Sequence, residues 1–162
     1  MTELAVFQAE VVLLIGQVFF DNLIKAIDEA KLSVLITQYQ WKWNIHQRHS
    51  RVQRLGAAIV RAKGRGVVVK VLMNKEAQSH HLTRINRVAG DQLSKVGCLV
   101  KFLSPGTTLH AKTWVIDGRL SFVGSHNISA RSLGFNEEVS VRIDSKEVAV
   151  LMTRFFERLW GA

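Results

Sequence analysis

The sequence predicts an α/β fold: a mixed, largely parallel β-sheet with helices on both faces. Three observations predict it. Short apolar runs of strand length alternate along the chain with amphipathic segments of helix length. Those helical segments are long enough to act as crossovers, which parallel strands require. Glycines punctuate the junctions, and Pro105 is the only proline, so few elements are interrupted. Nothing reads as a linker or a low-complexity tail, so residues 1–162 are expected to form a single domain with its own core.

Ala9 to Ile15 reads as a buried strand closed by Gly16. Phe19 to Lys31 follows with a helical stripe of Phe20, Leu23, Ile24, Ile27 and Ala30. Leu32 to Trp43 returns to strand character, and Tyr39, Trp41 and Trp43 alternate with polar residues at its end. The next helix is expected over Ser50 to Lys63 and ends at a glycine-containing turn. Val67 to Met73 is a strand, Thr83 to Val96 a helix, and Cys98 to Leu103 another strand, followed by a turn at Ser104-Pro105-Gly106. Ala111 to Asp117 and Ser121 to Val123 form two strands joined at Gly118-Arg119. A loop over Gly124 to Asn136, a strand over Glu138 to Ile143 and a helix over Ser145 to Trp160 complete the chain.

Lysine and arginine number 22 against 13 aspartates and glutamates, a net charge of +9. So basic a domain favours polyanions, either nucleic acid or an anionic membrane surface. Cys98 is alone and lies in an apolar run, which excludes an intrachain disulfide and suits a small buried residue. No Cys/His spacing fits zinc, and nothing near His80-His81 completes a metal site, so no metal and no cofactor is expected. The first lysine is Lys25, after Glu3 and Glu10, which is unlike a secretory signal. No apolar run approaches the ~20 residues that span a bilayer. A soluble, cytoplasmic protein without stable membrane insertion is expected.

The chemistry concentrates between Leu109 and Asn127, where the spacing is H-x-K-x4-D-x6-G-S-x-N: His110, Lys112, Asp117, Gly124, Ser125 and Asn127. On a strand, His110 and Lys112 share a face. An imidazole beside a cation suits an anionic substrate, most simply a phosphate. The Gly-Ser-x-Asn turn adds a hydroxyl and an amide able to bind the same oxygens. Asp117 stands at an odd offset from Lys112, which turns it to the opposite face and favours a structural job in the Asp117-Gly118 turn. His126 lies between two site residues and either touches substrate or holds conformation.

The spacing resembles the signature of the phospholipase D superfamily, the HKD motif. Its six fixed identities arise by chance in roughly one chain of this length in 10^5 or fewer. Ser132-Leu133 and Asn136-Glu137-Glu138 match the downstream Ser-Leu and Asn-x-Glu positions of that family. The resemblance implies a covalent phosphohistidine route with His110 as nucleophile. Lys112, Asn127 and Ser125 then bind the phosphoryl oxygens in place of a metal. Glu138 is the candidate to orient His110, as carboxylates orient catalytic imidazoles; Glu137 faces the other way. The family uses two motifs and this sequence has one. Members of similar length close that gap as homodimers whose motifs meet at a two-fold axis, so a homodimer with a composite site is expected.

Short single-motif members are typically nucleases, and the net charge agrees with DNA or RNA as substrate. No base-reading motif is visible, so little sequence specificity is expected. Trp41 and Trp43, with Arg48 nearby, are candidate substrate contacts that stack bases and hold phosphates. Equally, the tryptophans fill the core or a subunit contact. A phospholipase or phosphatidyltransferase is the alternative activity, and a nucleic-acid-binding module with little turnover is the third reading.

Overall fold

A computed structural model describes residues 6–44, 46–47, 49–76, 80–103 and 106–161. Its strands are β1 (Glu10–Ile15), β2 (Ser33–Gln38), β3 (Val68–Met73), β4 (Leu99–Phe102), β5 (Thr113–Ile116), β6 (Leu120–Gly124) and β7 (Val139–Asp144). They form one mixed seven-stranded sheet in the order β1-β7-β6-β5-β2-β3-β4. The helices are α1 (Val18–Glu29), α2 (Arg51–Gly64), α3 (His80–Lys95), α4 (Ala130–Gly134) and α5 (Lys146–Trp160).

The α/β class and the mixed sheet agree with the sequence, but the parallel pairing is confined to one side. β2 pairs with β3, and β3 with β4, in parallel. The other four pairings, β1 with β7, β7 with β6, β6 with β5 and β5 with β2, are antiparallel. The physical reason is connection length. Only α2 and α3 make long crossovers between neighbouring strands, whereas β5 and β6 are joined by the three residues 117–119, which permits only a hairpin. Five strands still run one way, and β5 and β7 run against them.

Alternation on the central strands divides the core into two layers. Val34 and Ile36 of β2 and Val69 and Val71 of β3 meet Leu23, Ile27, Leu55, Ile59 and Leu93 from α1, α2 and α3. Leu35, Leu72 and Val115 point the other way and meet Ala149 and Phe156 of α5. Each such buried Leu, Ile or Phe contributes about 1.5–3 kcal/mol. Serines cap the later helices: Ser50 Oγ accepts from Gln53 N at 3.3 Å, Ser129 Oγ from Ser132 N at 3.1 Å, and Ser145 Oγ from Val148 N at 3.3 Å.

β2 is shorter than the sequence suggested. It ends at Gln38, after which Trp41 makes only a lone parallel bridge with Ile128. Asn86 of α3 holds this departing segment: its Oδ1 accepts from Trp41 N at 2.8 Å, and its Nδ2 donates to Tyr39 O at 2.8 Å and Asn74 O at 2.9 Å. The segment is thereby laid beside residues 127–129, at the edge of the candidate site. The expected loop over Gly124 to Asn136 also contains the short helix α4.

Candidate active site

His110, Lys112, Ser125, Asn127, Glu138 and Val139 line one open cleft of about 590 Å³ at the ends of β5, β6 and β7. Lys112 immediately precedes β5, and its side chain is buried to 8% exposure, unusually deep for a lysine. Its Nζ stands 3.3 Å from His110 Nδ1 and 3.5 Å from Nε2, and donates to His110 O at 2.7 Å. Burial pushes the Lys112 pKa below its ordinary value, with Glu138 acting in the opposite direction. The imidazole itself is exposed to the cleft.

Tyr39, which the sequence reading noted but did not place in the site, braces this pair. Its ring lies 4.7 Å from the His110 ring, and Lys112 Nζ sits 5.2 Å from its centroid. Its hydroxyl donates to Glu76 Oε1 at 2.9 Å. That bond, then burial, raises the tyrosine pKa, so the phenol remains a donor at neutral pH. Removing the ring in Tyr39→Leu is expected to lower kcat about 10-fold, the equivalent of a ~1–2 kcal/mol cation–π contact. Tyr39→Phe keeps the ring and should stay within about 3-fold of the parent. Steady-state kinetics on a small chromogenic phosphodiester checks both; equal losses in the two variants would deny the ring this role.

Glu138 occupies the site but does not bond His110 within the chain. Oε1 accepts from Ser132 Oγ at 2.7 Å and from Asn136 Nδ2 at 3.2 Å, and Oε2 accepts from Ser125 Oγ. Burial raises the Glu138 pKa, but donation from Ser125, Ser132 and Asn136 outweighs it, so the group is held below the ordinary carboxylate value. Ser125 Oγ also accepts from Val139 N at 3.1 Å, tying the turn to β7. Ser132 and Asn136 thus explain the downstream motif positions as holders of Glu138. Asn127 Oδ1 is buried with no partner among the described residues.

Gly124 is required by close approach rather than by unusual backbone angles. A Cβ placed there would lie 2.4 Å from Ser140 Cβ and 2.5 Å from Ser140 Cα. No rearrangement of one side chain relieves a contact with backbone. Asp117 follows the end of β5 opposite the cleft, and its contacts there are structural. It has φ 52°, Gly118 has φ 60°, and the pair makes the hairpin turn between β5 and β6. Its carboxylate accepts from Lys31 N at 2.9 Å, Leu32 N at 2.8 Å and Ser33 N at 2.9 Å, where the chain enters β2.

Two candidate substrate contacts are corrected by burial. Trp41 is fully buried, 6.0 Å from the Trp114 ring, because the segment after β2 packs inward beneath Ile128. His126 is 1% exposed and stacked on Phe19 at 4.1 Å. Its Nε2 donates to Gly16 O at 3.1 Å and its Nδ1 accepts from Ser140 Oγ at 2.7 Å, while burial lowers its pKa. A neutral imidazole so enclosed cannot reach substrate. Trp43 is half-buried, stacked on Trp41 at 6.4 Å, and its ring fills the space that a side chain at Gly56 would need. Arg48 lies outside the described residues. The neighbouring arginines of α2 are also occupied: Arg51 and Arg54 lie over Phe20 at 5.7 and 5.0 Å.

Among the described residues, no group of three or more His, Cys, Asp or Glu side chains is arranged to hold a metal. Among the same residues, no helix is long and apolar enough to cross a membrane.

Comparison with known proteins places this geometry in context. The family described as "Cardiolipin synthase, PLD-like domain" matches residues 23–160. A cardiolipin synthase A from Yersinia pseudotuberculosis is 34% identical over 87 residues, 54% of this chain and 18% of that protein. The matched stretch thus spans less than a fifth of such curated relatives. Among solved structures, the phospholipase D family member Nuc from Salmonella typhimurium aligns with TM-score 0.76 and 21% identity. That alignment covers 94% of this chain and 95% of Nuc. NucT from Helicobacter pylori aligns with TM-score 0.70 and 18% identity, covering 95% of this chain and 97% of NucT.

Proposed function

The chain belongs to the phospholipase D-like family, and from that premise we propose that it is a metal-independent phosphodiesterase that cuts DNA or RNA with little sequence preference. The observation that carries the reading is the pairing of an exposed His110 with a buried Lys112 ammonium 3.3 Å away, in a cleft shared with Ser125 and Asn127. A buried cation facing a nucleophilic nitrogen attracts the phosphoryl group and stabilises the charge that develops on it.

The reaction proceeds in two displacements across two copies of the chain. A His110 nitrogen attacks phosphorus, forming a P–N bond as the P–O bond to the leaving group breaks. The leaving oxygen takes a proton from the protonated His110 of a second copy. Water then gives a proton to that second imidazole and its oxygen to phosphorus, and the P–N bond breaks. Lys112 and Asn127 hold the phosphoryl oxygens throughout. Ser125, bonded to Glu138, supports the turn that presents Asn127.

A homodimer suits the surface as well as the chemistry. Val11, Leu13 and Ile15 of β1 are 57%, 58% and 57% exposed, and Val139 of β7 is 49% exposed. Register places Leu13 opposite Val141 and Ile15 opposite Val139, so the apolar strip is continuous and reaches the cleft at Val139. A second copy covering it would bring the two clefts together.

The +9 charge favours a polynucleotide. The 34% identity with a cardiolipin synthase A favours a second reading, a phospholipase D or phosphatidyltransferase acting on phospholipids. The deciding experiment offers labelled single- and double-stranded DNA and RNA, and in parallel anionic phospholipid vesicles, in excess EDTA. Cleavage of nucleic acid that persists in EDTA is expected. Turnover of lipid alone would establish the second reading, and activity only with added metal would overturn the histidine route.

A further inference from the structure

A second pocket, of about 360 Å³, shares no lining residue with the catalytic cleft. Its charged walls are Lys42 and Arg131, His81 stands beside them, and no carboxylate among the described residues lines it. Neither Lys42 nor Arg131 joins an ion pair among the described residues, whereas Arg61, Lys70, Arg119 and Arg142 are each matched by an acid. Two exposed cations left without acids in one concavity attract an anion. The amides of Gln40, Asn44 and Gln47 also line it and supply both donors and acceptors.

The position of this pocket ties it to the chemistry. Lys42 N donates to Ile128 O at 2.7 Å and Ile128 N to Gln40 O at 3.0 Å, which binds the 40–42 segment to the chain that follows Asn127. On one segment Tyr39, against His110, is followed by Gln40 in the pocket; on the other, Asn127 in the cleft is followed two residues on by Ser129. Two residues span about 7 Å. Two nucleotides of a strand, at ~3.4 Å per stacked step, cover that distance.

We propose that this pocket is a subsite for one nucleotide flanking the scissile phosphate, with that nucleotide's phosphate on Lys42 and Arg131 and its base among the amides. The proposal rests on the polynucleotide reading and sharpens it. A pocket of this volume admits a unit of nucleotide size. A base inside a duplex stack reaches such a pocket only by leaving the stack, at a cost of a few kcal/mol. The preferred substrate is therefore a single strand.

The test measures fluorescence anisotropy of a labelled 12-nucleotide oligothymidylate, and of the same strand in a duplex with oligoadenylate, across a salt series. The protein carries His110→Asn so that no turnover occurs. Adding Lys42→Ala with Arg131→Ala is expected to weaken single-strand binding about 10- to 100-fold. The slope of log affinity against log salt should become shallower by roughly 0.7, for the one phosphate that the two cations hold. The parent should bind the single strand at least about 10-fold more tightly than the duplex. Lys42→Gln with Arg131→Gln serves as the second pair, and an unchanged urea midpoint establishes that each variant is folded. Unchanged affinity and slope in a folded variant would overturn the subsite while leaving the polynucleotide reading intact. Equal binding of duplex and single strand by the parent would overturn the single-strand assignment. A parent that binds neither would overturn the subsite together with the polynucleotide reading beneath it.

Discussion

Replacing His110 with asparagine is expected to lower turnover of any phosphodiester by about 10^4-fold or more, because a nucleophile that forms the covalent intermediate has no substitute. The side chain is exposed to the cleft and, among the described residues, hydrogen-bonds only Lys112 and touches the Tyr39 ring, so removing it leaves the fold and its denaturation midpoint nearly unchanged. Two further measurements separate a nucleophile from a residue that merely shapes the cleft. Denaturing the parent enzyme at alkaline pH during turnover should leave the phosphoryl-linked substrate fragment on His110, seen as an acid-labile mass increase on its peptide. The second uses the shared site. When parent and variant subunits are mixed equally and allowed to exchange, about a quarter of the dimers contain two parent chains. Activity should then fall to about one quarter of an all-parent sample, against one half if each chain works alone. A mixture that retains half would place both protonation and attack within one chain.

The portions of this site that were legible in the sequence are those governed by local periodicity. His110 and Lys112 are two apart, and although β5 begins only at Thr113 the structure brings their nitrogens within 3.3 Å. Asp117 lies in the turn beyond the far end of β5, and its carboxylate is occupied by backbone amides. The unread portions depend on tertiary placement. The Tyr39-Trp41-Trp43 alternation says that three rings can share a face, but not whether that face is core or cleft. It ceases to apply once β2 ends at Gln38. Tyr39 then reaches His110, while Trp41 is buried. Glu138 was identified by its position, but its partners Ser125, Ser132 and Asn136 come from a stretch in which α4 is only five residues long. So short a helix has too few turns to produce a stripe. Strand order is equally invisible to periodicity. Nothing local in β2 announces that one neighbour is β3 in parallel and the other β5 in antiparallel orientation.

Asp117→Ala is expected to be the most destabilising single change in the motif, costing about 3 kcal/mol or more in the free energy of unfolding. Three backbone N–H groups lose a charged acceptor together, and bonds to charged groups contribute about 1.5–3 kcal/mol each before partial rehydration. The cost extends beyond the turn, since those amides stand where α1 gives way to β2, and Asp117 N in turn donates to Ser33 O at 2.9 Å. Without the carboxylate, the β5–β6 hairpin and the start of β2 lose their shared anchor, and Lys112, with His110 two residues before it, immediately precedes the strand that moves. Asp117→Asn separates geometry from charge, because its single oxygen still accepts while the negative charge is gone. The sign of the pH dependence follows from the shift. Burial raises the carboxyl pKa, but the amides of Ser33, Lys31 and Leu32 outweigh burial and hold it below its ordinary value. A carboxylate with a depressed folded pKa contributes stability above its unfolded value of about 3.9, and loses it as pH falls through the folded pKa. Urea midpoints between pH 7 and pH 3 should therefore decline more steeply in the parent than in Asp117→Asn, with the two curves converging at the acid end. An Asp117→Ala protein with the parent midpoint but no activity would instead move this aspartate from the scaffold into the reaction.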